Sequence, residues 1–136
     1  MQRLVEAFYD RIEMDAELRA LFPADLGPGR ERQQWFLEQW LGGEPRYSRE
    51  RGEPFLRRRH FPFVITEAAA ERWLSHMAAA LSELARSGVG VDESATAEVM
   101  QRLRPLALQM VNADDDVPRE PYDPHEERAP GPIQID

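Results

Sequence analysis

The chain has 136 residues, 42% of them apolar, which is enough for one hydrophobic core and one domain. Its 17 basic residues are all arginine and are outnumbered by 25 acids, and the net charge of −8 argues against a nucleic-acid partner. Cysteine is absent, which removes disulfide frameworks and thiolate metal sites, and no run approaches the roughly 18 apolar residues of a membrane span. The opening MQRLVEAFYD carries charge too early for a secretory signal, so a cytoplasmic location is expected.

Apolar residues recur at spacings of three and four and no stretch alternates, so the pattern predicts an all-α fold. Val5, Phe8, Tyr9 and Ile12 form one face of a first helix, which Leu18, Leu21 and Phe22 continue as far as Pro23. Pro23, Gly27, Pro28 and Gly29 then break the chain. A second helix runs from about Arg30 to Leu41, with Gln33, Phe36, Leu37 and Trp40 on one side, and Gly42-Gly43 ends it. The stretch from there to Pro54 is polar and reads as turns. A short helical piece covers Phe55 to His60 and is stopped by Pro62, because proline disfavours helical geometry in the residue before it.

Thr66 is the expected N-cap of a long third helix, whose stripe Trp73, Met77, Leu81 and Leu84 leads to Gly88. Asp92 or Ser94 opens the last helix, faced by Val99, Leu103, Leu106 and Met110 and expected to kink at Pro105. Residues 113–136 hold eight acids and two arginines, a net −6 that leaves −2 for the first 112 residues. They also hold five of the eleven prolines, so a flexible acidic tail is expected beyond a domain spanning residues 1–112.

Three helical stripes carry a polar group where a core is normally apolar: Tyr9, Gln33 and Trp73. Each has a hydrogen to donate, and an unpartnered buried hydroxyl or amide costs on the order of 1 to 3 kcal/mol. Each could find its partner in water or a carbonyl, as amphipathic core residues do, or in a ligand. The histidines narrow the choice of metal chemistry. His60 and His76 stand sixteen residues apart and His125 lies in the tail, which does not suit a His-rich zinc site. A porphyrin needs only one axial imidazole, since it supplies four nitrogens itself. In RRRHFPF, residues 57–63, three arginines abut that histidine and an apolar knot, a pattern that suits a cofactor with an acidic edge and an apolar body. A half-buried histidine in an anion-binding arginine patch remains the simpler reading of these residue types alone.

The segments FYDRIEMDAELRALFP, QQWFLEQWLGGEPRYSRERGEPFLRRRHFPFVIT and ERWLSHM resemble the truncated haemoglobins of the second group, short bacterial globins with a two-over-two helical sandwich around haem. The resemblance spans roughly residues 4–112. It rests on the phenylalanine-tyrosine pair, the glycine pair followed by Tyr47-Ser48, the Arg59-His60-x-Pro62-Phe63 run and a tryptophan thirteen residues after the histidine. Members usually carry an additional short helix and a glycine pair before the phenylalanine-tyrosine; here seven residues precede Phe8.

The resemblance implies haem b as cofactor, His60 as the iron ligand, and Phe22 as the aromatic wedge against the porphyrin. It makes Tyr9, Gln33 and Trp73 the distal donors, the same three residues singled out by the helical stripes. Phe36, Phe63 and Met77 would line the pocket, and Gly29 falls where many globins place a gating histidine. Arg59 is the first candidate for pairing with a haem propionate, with Arg32 and Tyr47 next, and the division of labour among Arg57, Arg58 and Arg59 stays open. The implied function is binding of O2, CO, NO or peroxide at an open iron position with slow release. Redox turnover of NO or peroxide, a reductase partner and a homodimer are left open. Two other readings stand beside it: a cofactor-free helical interaction module docking through the acidic tail, and a haem-based sensor.

Overall fold

The protein is described by a computed structural model over residues 1–88 and 92–113. Apart from Ala113, the predicted acidic tail lies outside the described residues. Among them the chain forms helices α1 (Gln2–Met14), α2 (Ala16–Arg19), α3 (Gly27–Trp40), α4 (Arg46–Arg51), α5 (Leu56–His60), α6 (Glu67–Arg86) and α7 (Glu93–Gln109), with no strand. Helix α1 packs on α6 and α3, α6 pairs with α7, and α4 lies against α3.

The core follows from the stripes. Phe8 and Ile12 of α1, Met77 of α6 and Leu103 of α7 are its fully enclosed large side chains. Removing each from water contributes about 1.5 to 3 kcal/mol, which is why these faces and not the polar ones meet. Helix α6 starts where the sequence indicates, with the Thr66 hydroxyl accepting the Ala69 amide at 3.1 Å. Asp92 caps α7 in the same way, accepting from the Ala95 amide at 2.7 Å. Pro105 sits inside α7, which nevertheless continues to Gln109. The loss of one amide hydrogen there is offset by burial of Leu103 and partial burial of Leu106 on either side.

Three expectations are corrected. The first helix does not run unbroken to Pro23: Asp15 is extended (φ −103, ψ 95) and separates α1 from α2. Its carboxylate accepts the Leu18 amide at 3.2 Å, so the residue ends one helix and begins the next. The second helix begins at Gly27, before the expected Arg30, because Pro28 stands in the first turn, where a missing amide hydrogen costs nothing. The polar stretch before Pro54 contains α4. Gln39 holds it to α3, donating to the Ser48 hydroxyl at 2.8 Å while accepting the Ser48 amide at 2.9 Å. The glycine turn after α3 is as expected, with Gly42 at φ +96.

Candidate functional site

His60 closes α5. Its Nδ1 lies 2.6 Å from the Leu56 carbonyl oxygen, which can only accept, so Nδ1 carries the hydrogen and Nε2 keeps its lone pair. Burial holds the imidazole below its usual basicity, opposed by the bond to Leu56. A neutral ring with a free Nε2, oriented by a backbone acceptor, is the form that ligates a metal.

The segment around it is held from several sides. Phe55, just before α5, adopts a left-handed conformation (φ 41, ψ 52), which costs a non-glycine residue about 1 to 2 kcal/mol. Asn112, at the end of the described chain, donates to the Phe63 carbonyl at 2.9 Å and to that of His60 at 3.4 Å, and accepts the Ile65 amide at 2.9 Å. Arg59 donates through Nη2 to the carbonyls of Arg51 (2.7 Å) and Glu53 (3.2 Å), and its guanidinium stands 5.6 Å from the Tyr47 ring centroid. Its Nε is buried with no hydrogen-bond partner among the described residues. Tyr47 is buried and meets Phe36 edge-on at 5.9 Å.

The three polar stripe residues come from three helices. The Tyr9 hydroxyl of α1 donates to Gln33 Oε1 of α3 at 3.3 Å. Gln33 Nε2 is buried without a partner among the described residues. Trp73 of α6 stands edge-on to Phe8 at 5.1 Å, Phe8 to Tyr9 at 5.3 Å, and Tyr9 to Phe22 at 6.1 Å. A Cβ at Gly29 would lie 3.2 Å from the Tyr9 hydroxyl, so glycine is what lets α3 come this close. Burial pushes the Tyr9 phenol up to about 12 despite the opposing charges of Arg30 and Arg32, so at neutral pH it is a donor.

The predicted residues thus fall into two groups: His60, Phe63, Arg59, Tyr47 and Phe36 in one, and Tyr9, Gln33, Trp73, Phe22 and Gly29 in the other. Helix α3 joins them, since Gln33 and Phe36 lie within one turn. Met77 is part of the core under Phe8 and Ile12. Arg32 stands apart: its Nε donates to the Pro28 carbonyl at 3.1 Å, and it lines an open groove of about 300 Å³ with Trp35, Glu50 and Arg51. Sequence reasoning missed Asn112 and Arg51, for which no local pattern gives a signal. It also missed Asp15, although an aspartate followed by Ala16-Glu17-Leu18 is an N-cap pattern.

The residues fit a haem. One neutral imidazole offers a lone pair, and a buried amide beside a buried hydroxyl has a donor left over. Helices two over two with this donor set define a globin of the short type. A family model described as bacterial-like globin matches residues 1–112. The group 2 truncated haemoglobin YjbI of Bacillus subtilis is 39% identical over 112 residues, covering 82% of this chain and 81% of its own. The crystal structure of a haemoglobin from the thermophilic phototroph Chloroflexus aurantiacus is 46% identical with a TM-score of 0.74, covering 82% of this chain and 88% of that one. That of a truncated oxygen-avid haemoglobin from Bacillus subtilis is 40% identical with the same TM-score, covering 82% and 90%. The chain belongs to the bacterial-like globin family, and its relatives are group 2 truncated haemoglobins. Membership implies a haem iron cofactor. Among the described residues no helix is long and apolar enough to cross a membrane.

Proposed function

We propose that this protein is a haem b globin that binds O2 and other diatomic ligands opposite His60 and releases them slowly. Haem, when bound, supplies an iron with one position for the protein's imidazole and one open to a small ligand. His60 would hold the iron through Nε2, its ring fixed by Leu56. Phe22, Phe36, Phe63 and Met77 exclude water, and Gly29 leaves the approach to Tyr9 without a side chain. The Gln33 amide, with Nε2 unpartnered, would donate to a ligand that gathers negative charge, and the Trp73 indole and the Tyr9 hydroxyl, once turned from Gln33 Oε1, would join it in a dry site. Arg59, Tyr47 and Arg32 are the groups assigned to the propionates; for Arg59 the support is its buried, unpartnered Nε. Residues 1–112 are assigned as the globin domain and 113–136 as an acidic appendage to it.

The observation that carries this reading is the Gln33 amide, whose Nε2 is buried without a partner beside the Tyr9 hydroxyl. A plain core would leave that group unsatisfied, at a cost of about 1 to 3 kcal/mol. The oxygen avidity in the name of the Bacillus subtilis relative agrees with it. Turnover of NO or peroxide is the enzymatic extension of the same site.

The test is the absorption spectrum of the purified, reduced protein with and without carbon monoxide, followed by oxygen release from wild type and Trp73→Phe. A Soret band that moves with carbon monoxide, and faster release from the variant, are expected. A colourless protein that takes up no added haem would leave the cofactor-free interaction module as the better account.

A further inference from the structure

Among the described residues, Asp15 is a carboxylate bonded from several sides and apart from the candidate site. Only 8% of its side chain is exposed, and four hydrogen bonds converge on it. Oδ1 accepts from the Leu18 amide at 3.2 Å and from Arg72 Nη2 at 2.8 Å, while Oδ2 accepts from Arg72 Nε at 3.0 Å and from His76 Nε2 at 2.8 Å. The Arg72 fork is bidentate, the geometry that fixes both distance and angle. Arg72 also reaches Glu17 at 3.1 Å. One carboxylate therefore joins the α1–α2 junction to two sites four residues apart on α6.

What those sites flank is informative. Trp73 follows Arg72, and Met77 follows His76. On a helix the Arg72–His76 stripe and the Trp73–Met77 stripe run parallel about 100° apart, so any rotation of α6 moves both together. At a side-chain radius of about 5 to 6 Å, a turn of roughly 10° shifts the indole by about 1 Å, enough to lose a hydrogen bond. On the other side of Asp15, α1 carries Phe8 and Tyr9, and the chain after α2 carries Phe22. The rings of Phe22, Tyr9, Phe8 and Trp73 stand in unbroken edge contact.

We propose that Asp15 is a positioning residue for the distal donors: by locking the α1–α2 junction onto Arg72 and His76, it sets where the Trp73 indole stands relative to the Tyr9 hydroxyl. This rests on the reading of Tyr9 and Trp73 as ligand-facing donors. Asparagine at position 15 keeps the helix cap but loses the charge that grips Arg72. His76→Leu removes one arm and leaves the cap and the arginine fork in place.

The experiment compares wild type, Asp15→Asn, His76→Leu and the double variant as haem-loaded proteins. The readouts are the oxygen dissociation rate, the infrared C–O stretch of the carbon monoxide complex, and the fluorine resonance of 5-fluorotryptophan at position 73, assigned with Trp73→Phe. Expected are release faster by about threefold or more, short of the roughly tenfold of outright donor loss, with a moved C–O stretch and a moved resonance. The double variant should go little further than Asp15→Asn, as for residues acting through one contact. Variants that melt earlier but keep wild-type rate, stretch and resonance would overturn the proposal, and His76→Leu decides it if Asp15→Asn does not fold. Tyr9→Phe and Trp73→Phe serve as controls: if neither alters release, the donor reading fails and this proposal falls with it, whereas altered controls beside silent Asp15 and His76 variants sink the proposal alone.

Discussion

Replacing Tyr9 with phenylalanine removes one oxygen and leaves the ring. Tyr9 is 3% exposed, so the packing against Phe8 and Phe22 should survive and the change is confined to the hydroxyl. Two consequences can be worked out. Loss of a donor of about 1 to 1.5 kcal/mol should speed oxygen release by roughly 5- to 13-fold. The second appears in alkali. Burial raises the phenol from 10.0 to about 12, so the folded protein keeps its proton where the unfolded chain has lost it. Stability is therefore fully retained below pH 10 and falls as pH rises from there through about 12, by about 2 to 3 kcal/mol for a shift of this size. The variant should lack that component. Stopped-flow displacement of oxygen by carbon monoxide measures the first effect, and urea unfolding at pH 8 and pH 11 the second. Unchanged release together with an unchanged alkaline loss would refute both the donor role and the burial argument.

His60→Gly should abolish the spectrum of an imidazole-ligated ferrous haem, and added free imidazole should restore it; a wild-type spectrum without imidazole would mean that another group holds the iron. Asn112→Ala removes the side chain that ties the end of α7 to the carbonyls of His60 and Phe63 and to the Ile65 amide. An unfolding free energy lower by about 1 to 3 kcal/mol is expected from denaturant titration, and a change within error would show that water replaces these bonds without cost. The Arg72 and His76 hydrogen bonds hold the Asp15 carboxyl well below the usual carboxylate range. Its stabilising effect is present above the ordinary aspartate value and is lost only as pH falls through the lowered one. Acid titration of Asp15→Asn should show that component missing, and an acid limb identical to wild type would deny the pairing.

Much of the site was legible because its signals are local. Tyr9, Gln33 and Trp73 stood out as polar members of apolar stripes, and the structure puts the first two in contact and links the third through Phe8. The isolated histidine excluded clustered metal chemistry, yet only the resemblance to short globins pointed from His60 to iron. Arg59 shows the limit. The resemblance made it the first candidate for a propionate, but nothing in the sequence showed that its Nη2 turns to the carbonyls of Arg51 and Glu53 or that its guanidinium lies over Tyr47.

The long helices α6 and α7 and their starts were settled by the order of residues itself, since a period near 3.6 and caps such as Thr66 and Asp92 act within one or two turns. Where the first helix breaks was decided in three dimensions. Asp15 could have continued that helix, and it leaves it in a structure where Arg72 and His76, 57 and 61 positions away, meet its carboxylate. Asn112 clamps the turn after His60 from 49 residues beyond Phe63 by the same logic. Hydrogen bonds between distant segments depend on how the helices pack, and packing depends on the shape of the whole core, which no short window of sequence contains.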